Sequence, residues 1–202
     1  MTAKRVYKTD STVLEYTDEW YQPLLVFFEE AKKLGMENNT SFEAMKWDIS
    51  KWWISVDGDR IVGISGCHPL PENQTEVWRV MARSAIIPEY RNRFKNLARS
   101  NINSETTHYH MPLQIKWIKE NYVDAKKFVI TTNLENSNPV YKRTNNVVHI
   151  METTGIVKKL GVETIYYTDQ TVWEVNEEVL LSIRREFRER LGYDPDDLDK
   201  MQ

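Results

Sequence analysis

Apolar residues along this chain change period several times, and each change marks an element. Val6, Tyr7, Val13, Leu14 and Tyr16 make Val6–Tyr16 a first strand. Leu24, Phe27, Phe28, Ala31 and Leu34 then recur at helical spacing, with Pro23 tolerated in the first turn and Gly35 as a stop. Thr40-Ser41-Phe42-Glu43 is a capping box that opens a second, short helix, because Thr40 and Glu43 satisfy free N–H groups reciprocally. Trp52–Val56 and Ile61–Cys67 are β-rich runs on either side of Asp57-Gly58-Asp59-Arg60, which predicts a hairpin ended by Pro69 and Pro71. Glu76–Ile87 is the next strand, followed by a polar break over Arg91–His110. Pro112 opens an amphipathic helix with Leu113, Ile115, Trp117, Ile118 and Tyr122. Phe128–Thr132 is a short strand of the buried type. After Asn138-Pro139 a helix carries Val140, Thr144, Val147, Val148 and Met151 and stops at Gly155. Val162–Thr168 and Thr171–Val175 pair around Asp169-Gln170. A final helix puts Val179, Ile183, Phe187 and Leu191 on one stripe, with Glu177 and Glu178 at its positive end.

The resulting order, β α α β β β α β α β β α, is a mixed α/β arrangement. Its first half is an antiparallel meander, and parallel pairing enters only where a helix separates strands. The whole chain, 1–202, reads as one domain: a core over about 6–176, a C-terminal helix over 177–192 and a solvated acidic tail over 193–202.

Composition narrows the classes. With 202 residues, 41% apolar and 28% charged, the chain is long enough to bury a sizeable core. No run reaches the ~18 apolar residues of a membrane helix, and no apolar stretch follows the basic N-terminus, so neither a membrane nor a secretory signal is expected. Cys67 is the one cysteine, which excludes an internal disulfide and fits a reducing cytoplasm; in its apolar run it reads as a packed thiol rather than a nucleophile. A net charge of −3 argues against wholesale nucleic-acid binding. No metal-ligand spacing is present and no metal is expected. His68, His108, His110 and His149 form no catalytic pattern and read as loop residues, and Trp52-Trp53 is expected to leave one ring exposed.

The most informative stretch is Val77–Tyr90, a strand running into Pro88-Glu89-Tyr90-Arg91 and then the basic Arg91-Asn92-Arg93-Phe94-Lys95-Asn96. It resembles the acyl-CoA-binding motif of the GNAT superfamily of N-acetyltransferases, and the element order over roughly residues 6–176 is similar to that fold. Arg79-Val80-Met81-Ala82-Arg83 before Ile87–Asn92 is also similar to GNAT-like proteins of marine bacteriophages. The resemblance implies a GNAT-like (acyl-CoA N-acyltransferase-like) central sheet, mixed but mostly antiparallel, flanked by helices, with the C-terminal helix as an addition. In that family the fourth and fifth strands splay to admit the pantetheine arm, which here assigns it to backbone groups of Ala85, Ile86 and Ile87. The pyrophosphate lies on amides of an Arg/Gln-x-x-Gly-x-Gly/Ala loop at a helix N-terminus. This chain departs from that pattern. Counting from Arg91 puts Phe94 and Asn96 in the glycine places; counting from Arg93 puts Asn96 and Ala98 there.

The resemblance further implies that Arg91 and Arg93 neutralise the phosphates of coenzyme A, while Lys95 and Arg99 read as solvated. Tyr141 is implied as the donor that protonates the departing thiolate, and Glu76 as a base acting on the amine through water. Arg79 and Arg83, four apart on the presumed central strand, would share a face; cations there need acidic partners or a polar cleft. Pairing with Glu or Asp is the structural account, and recognition of a carboxylate or phosphate on the substrate is the functional one. The implied activity is transfer of an acetyl or other acyl group from acetyl-CoA, or another small-molecule acyl donor, to an amine acceptor. Its rival is a non-catalytic binding or structural protein that keeps the fold without the cofactor. A nucleic-acid module using Arg91–Arg99 and the final-helix arginines Arg184, Arg185, Arg188 and Arg190 is weaker, and the C-terminal helix leaves core packing and a homodimer both open.

Overall fold

Among the described residues, seven strands form one sheet in the order β1-β2-β3-β4-β5-β7-β6. The computed structural model describes residues 12–34, 45, 49–70, 74–90, 109–133, 148–149, 151–165 and 167–191. The strands are β1 Thr12–Glu15, β2 Lys51–Asp57, β3 Arg60–Pro69, β4 Val77–Ile86, β5 Lys127–Asn133, β6 Val157–Ile165 and β7 Thr168–Val175; the helices are α1 Tyr21–Lys33, α2 Met111–Asn121 and α3 Glu177–Leu191. Among the described residues only β4 and β5 pair in parallel, across the connection that contains α2, and the other pairs are antiparallel. The mixed, mostly antiparallel sheet is the one expected. The capping-box helix and most of the helix after Pro139 lie outside the described residues, although residues 151–153 are helical and Gly155 ends that segment at φ +78.

Local chemistry accounts for most boundaries. Gly58 stands at φ +59 in the first central position of the β2–β3 turn, where a type II′ hairpin places glycine. Asn176 caps α3 by accepting the Val179 N–H at 3.2 Å, and Glu177 at that helix start reaches Lys119 of α2 at 2.5 Å. The second hairpin differs from expectation. β6 ends at Ile165 and β7 begins at Thr168, so Asp169 and Gln170 sit in the ladder opposite Thr164 and Glu163. The Gln170 amide donates to Ile165 O and Thr168 Oγ1, each at 3.2 Å, which satisfies a polar side chain that would otherwise suit a turn.

The sheet has two apolar faces. On one, α2 and α3 pack over Trp53, Cys67, Trp78, Val80, Phe128 and Ile130. On the other, α1 covers Trp52, Ile54, Val62 and Ile64. Trp52 and Trp53 alternate between these faces and both are buried, at 4% and 5% exposure, so neither ring is left to solvent. Gly66 makes the room for Trp52: a Cβ there would meet two indole carbons at 2.5 Å.

Strand β4 is not regular. Ile64, Gly66 and His68 of β3 face Ala85, Ala82 and Arg79, so two steps of two residues on β3 meet two steps of three on β4. Two successive bulges result, and Met81 (φ 55) and Arg83 (φ 53) occupy left-handed backbone inside the strand. Such non-glycine conformations cost on the order of 1–3 kcal/mol each.

Candidate active site at the fork of β4 and β5

The bulges coincide with a parting of strands. Parallel pairing holds for Val77↔Lys127, Trp78↔Phe128 and Arg79↔Val129. Beyond Arg79, β4 runs on beside β3 to Ile86 while β5 pairs with β7 to Asn133, and no further β4–β5 ladder pair forms among the described residues. A fork therefore opens, with Arg79 and Val129 at its apex.

The antiparallel register settles which way the β4 backbone faces. Ile87 N donates to Val62 O at 2.8 Å. By alternation, Ala85 and Ile87 turn their main-chain groups to β3, and Ile86 turns its own to the fork side. Of those three residues, Ile86 is the one whose backbone points toward the opening.

The Pro-Glu-Tyr motif then anchors the end of the strand. Pro88–Tyr90 is a single 3-10 turn with Tyr90 buried, and the Tyr90 hydroxyl donates to Asp57 Oδ2 in the β2–β3 turn. Arg60 bridges Glu30 of α1 at 2.5 Å and Glu89 at 2.9 Å. The chain thus leaves β4 at a fixed place. Arg91, Arg93, Asn96 and Ala98, which follow, lie outside the described residues, as does Tyr141.

Under the fork, on the α2 face, runs a buried polar chain. Met81 N donates to Gln114 Oε1 at 2.8 Å, and Gln114 Nε2 donates to Ser65 Oγ at 2.8 Å. Ser65 Oγ meets His110 Nδ1 at 2.9 Å, and His110 Nε2 meets Ser55 Oγ at 2.8 Å. Since Ser65 already receives the amide, its hydrogen is assigned to Nδ1, leaving the ring proton on Nε2 for Ser55. Burial pushes the His110 pKa down to about 3, so the ring is neutral. This corrects the reading of His110 as a loop residue. The signal that could have found it is Ser55 and Ser65, hydroxyls in otherwise apolar strands that required partners.

On the α1 face the apex carries a second cluster. His68 is also no loop residue: it lies on β3, buried, opposite Arg79, with Nδ1 donating to Pro69 O at 2.8 Å. Its pKa is pushed down to about 3 by burial and then by the charges of Arg79 and Arg83. Both arginines therefore act on one buried ring. Simple alternation could not have placed Arg83, because the first inserted residue shifts the strand's parity by Ala82 and the second restores it only at Ala85. Thr131 lies two residues beyond Val129 on the same face of β5, and its buried Oγ1 has no hydrogen-bond partner among the described residues.

Glu76 stands elsewhere. It precedes the closed end of the fork, exposed, with Oε1 paired to Lys126 Nζ at 2.6 Å and its carbonyl accepting from Lys126 N and Lys127 N. Among the described residues no group of three His, Cys, Asp or Glu is placed to hold a metal. No helix among them is long and apolar enough to cross a membrane.

Neither a family model nor a curated protein matches the sequence. Solved structures do. A protein from Bacillus halodurans aligns over 88% of this chain and 89% of its own, at 10% identity and a TM-score of 0.54. The aminoglycoside acetyltransferase AAC(6')-Ib, in complex with paromomycin and acetyl-CoA, covers 87% of this chain and 98% of its own, at 8% identity and a TM-score of 0.52. A protein assigned to the GNAT acetyltransferases of Desulfovibrio desulfuricans covers 83% and 99%, at 9% identity and 0.50. The chain has the GNAT fold. The match spans nearly the full length of those two proteins.

Proposed function

We propose that this protein is an N-acyltransferase that moves an acetyl or related acyl group from coenzyme A to an amine. The observation that carries the proposal is the fork: on a GNAT fold, β4 leaves β5 after Arg79 and turns the Ile86 backbone toward the gap. Proteins of the same fold have been solved with coenzyme A and kanamycin and with acetyl-CoA and paromomycin, which supports an acyl-CoA donor and a small amine as the acceptor class. In this reading the thioester lies along Ala85, Ile86 and Ile87. Arg91 and Arg93 face the phosphates, with Asn96 and Ala98 at the positions where the loop backbone must come close. The amine nitrogen attacks the thioester carbonyl and gives up its proton to solvent water, the tetrahedral intermediate expels the thiolate, and Tyr141 supplies the proton that sulfur takes up, regaining one from solvent. Catalysis is then mainly positioning of two substrates. Glu76 is engaged by Lys126 beyond the closed end, so the base role is not given to it.

One observation favours a second reading, a binding or structural protein on the same scaffold: the sequence has no glycine between Gly66 and Gly155. A cradle of free amides is harder to build without glycine. Titration with acetyl-CoA separates the two. A ligand at 100 times its Kd stabilises the fold by about 2.7 kcal/mol, so a donor-binding enzyme shows a clear rise in Tm and a measurable heat. Flat traces at millimolar acetyl-CoA would leave the second reading standing.

A further inference from the structure

We propose that the hydroxyl of Thr131, on the β5 arm of the fork, is held for the ligand and donates a hydrogen bond to the carbonyl oxygen of the acyl thioester. The inference rests on the acyl-transfer reading and adds a catalytic group to that same site.

This hydroxyl differs from its neighbours. Thr131 is 7% exposed, and its Oγ1 has no hydrogen-bond partner among the described residues. The hydroxyls of Ser55, Ser65 and Thr132, also buried in the sheet, are engaged by His110, Gln114 and Trp173. A buried hydroxyl without a partner costs stability, and in a packed sheet such a group calls for a reason. Its position supplies one. One edge of β5 is held against β7 through Thr131↔Val172, and beyond Val129 the other edge borders the gap.

Strand register fixes how deep in the fork the hydroxyl stands. Arg79 closes the fork, opposite Val129 of β5 and His68 of β3. Thr131 is two residues past Val129, and Ala82 faces Gly66, which is two residues past the level of His68. Thr131 and the first bulge of β4 therefore stand level across the gap. Ile86, opposite Gly63, lies three residues of β3 nearer the mouth, about 10 Å away along the strand. An acyl-CoA that enters past Ile86, with its phosphates beyond Tyr90, brings its thioester end to the level of Thr131. On the opposite arm the Met81 N–H is already taken by Gln114 at 2.8 Å, so the first bulge does not offer that amide to the ligand.

A threonine hydroxyl has one hydrogen to give. Aimed at the carbonyl oxygen, it polarises the thioester and meets the negative charge that gathers on oxygen as the amine nitrogen adds. The hydroxyl keeps its own proton throughout. When the C–S bond breaks, the oxygen electron pair re-forms the carbonyl and the thiolate carries the bonding pair away.

The test needs no acceptor. Calorimetry on the full chain compares acetyl-CoA with S-ethyl-CoA, a thioether of similar size that lacks the carbonyl. The wild type should bind acetyl-CoA about 3- to 10-fold more tightly, the contribution of one hydrogen bond. Thr131→Val, nearly isosteric, should abolish that preference while binding S-ethyl-CoA as the wild type does, and Thr131→Ser should keep it. Without ligand, Thr131→Val should unfold in urea at or above the wild-type midpoint, because it removes an unpartnered hydroxyl. Equal wild-type affinities for the two compounds, or a preference that survives in Thr131→Val, would overturn the inference and leave acyl transfer standing. A marked loss of stability in Thr131→Val, or its failure to fold, overturns the inference as well, since the hydroxyl would then serve the fold. Should the wild type bind neither compound, the acyl-transfer reading itself fails and the inference falls with it.

Discussion

The main-chain N–H of Met81 donates to Oε1 of Gln114 over 2.8 Å, tying the first bulge of β4 to α2. A left-handed methionine in mid-strand would be expected to relax into a regular ladder. Here its amide has instead a helix side chain, itself fixed through Ser65 and His110 to β3 and β2. The fork is therefore held open from below by a hydrogen-bonded chain whose side chains, Gln114, Ser65, His110 and Ser55, are fully buried.

Gln114→Leu should expose the dependence. It orphans the Met81 amide inside the core, at about 1–3 kcal/mol for the lost partner, and should speed hydrogen exchange at that amide. Gln114→Glu keeps the acceptor but loses the donor to Ser65 and buries a carboxyl group at a fully buried position, so a loss at least as large is expected at neutral pH. Urea unfolding and exchange measured together decide it; a Leu variant of wild-type stability would contradict the bonding described.

Acid should destabilise the protein through the buried His68 and His110. His68 and His110 titrate near 3 in the fold, below the ordinary value of 6.5. Between those values the unfolded chain binds protons that the folded one refuses, so stability is complete above about pH 6.5 and falls as pH drops toward about 3. The slope is about 1.4 kcal/mol per pH unit for each ring well inside that window. Unfolding curves at pH 7, 6 and 5 measure it, and His110→Gln should flatten the dependence even as it lowers stability at pH 7.

Gly66→Ala should be destabilising by about 1–3 kcal/mol, the usual range for overpacking. The new methyl would meet the buried Trp52 indole at 2.5 Å, and the ring has the α1 face packed around it. A shift in tryptophan emission with a lowered Tm is expected. An unchanged spectrum and Tm would show that Trp52 has slack.

Cys67 should be silent toward thiol reagents in the native state. The residue is fully buried, and burial pushes its thiol well above the usual range. Labelling by iodoacetamide at pH 8 should appear only in denaturant; prompt native labelling would mean that the core opens readily there.

Legibility varied with the range of the interaction. Pro23, Gly58, Pro112 and the Trp52–Val56 run announced α1, the first hairpin and α2 because caps, turns and periodicity are local. The second hairpin was misplaced by a few residues since Asp169-Gln170 has turn chemistry, and only the Gln170 hydrogen bonds to Ile165 and Thr168 reconcile it with a strand. His68 and His110 could not be read from their neighbours, because their partners lie on other strands.

Sequence alone determined the mixed α/β order, the placing of parallel pairing after a helix, and the two basic residues in β4, all of which follow from periods and residue types within a few turns of chain. Tertiary structure decided the rest. Whether β4 bulges, where it parts from β5 and which histidines are buried depend on the register of strands distant in the chain and on a glutamine of α2. A hydrogen bond between residues 33 positions apart leaves no periodic trace, and so it is the folded sheet, not the pattern of the sequence, that sets the geometry of the fork.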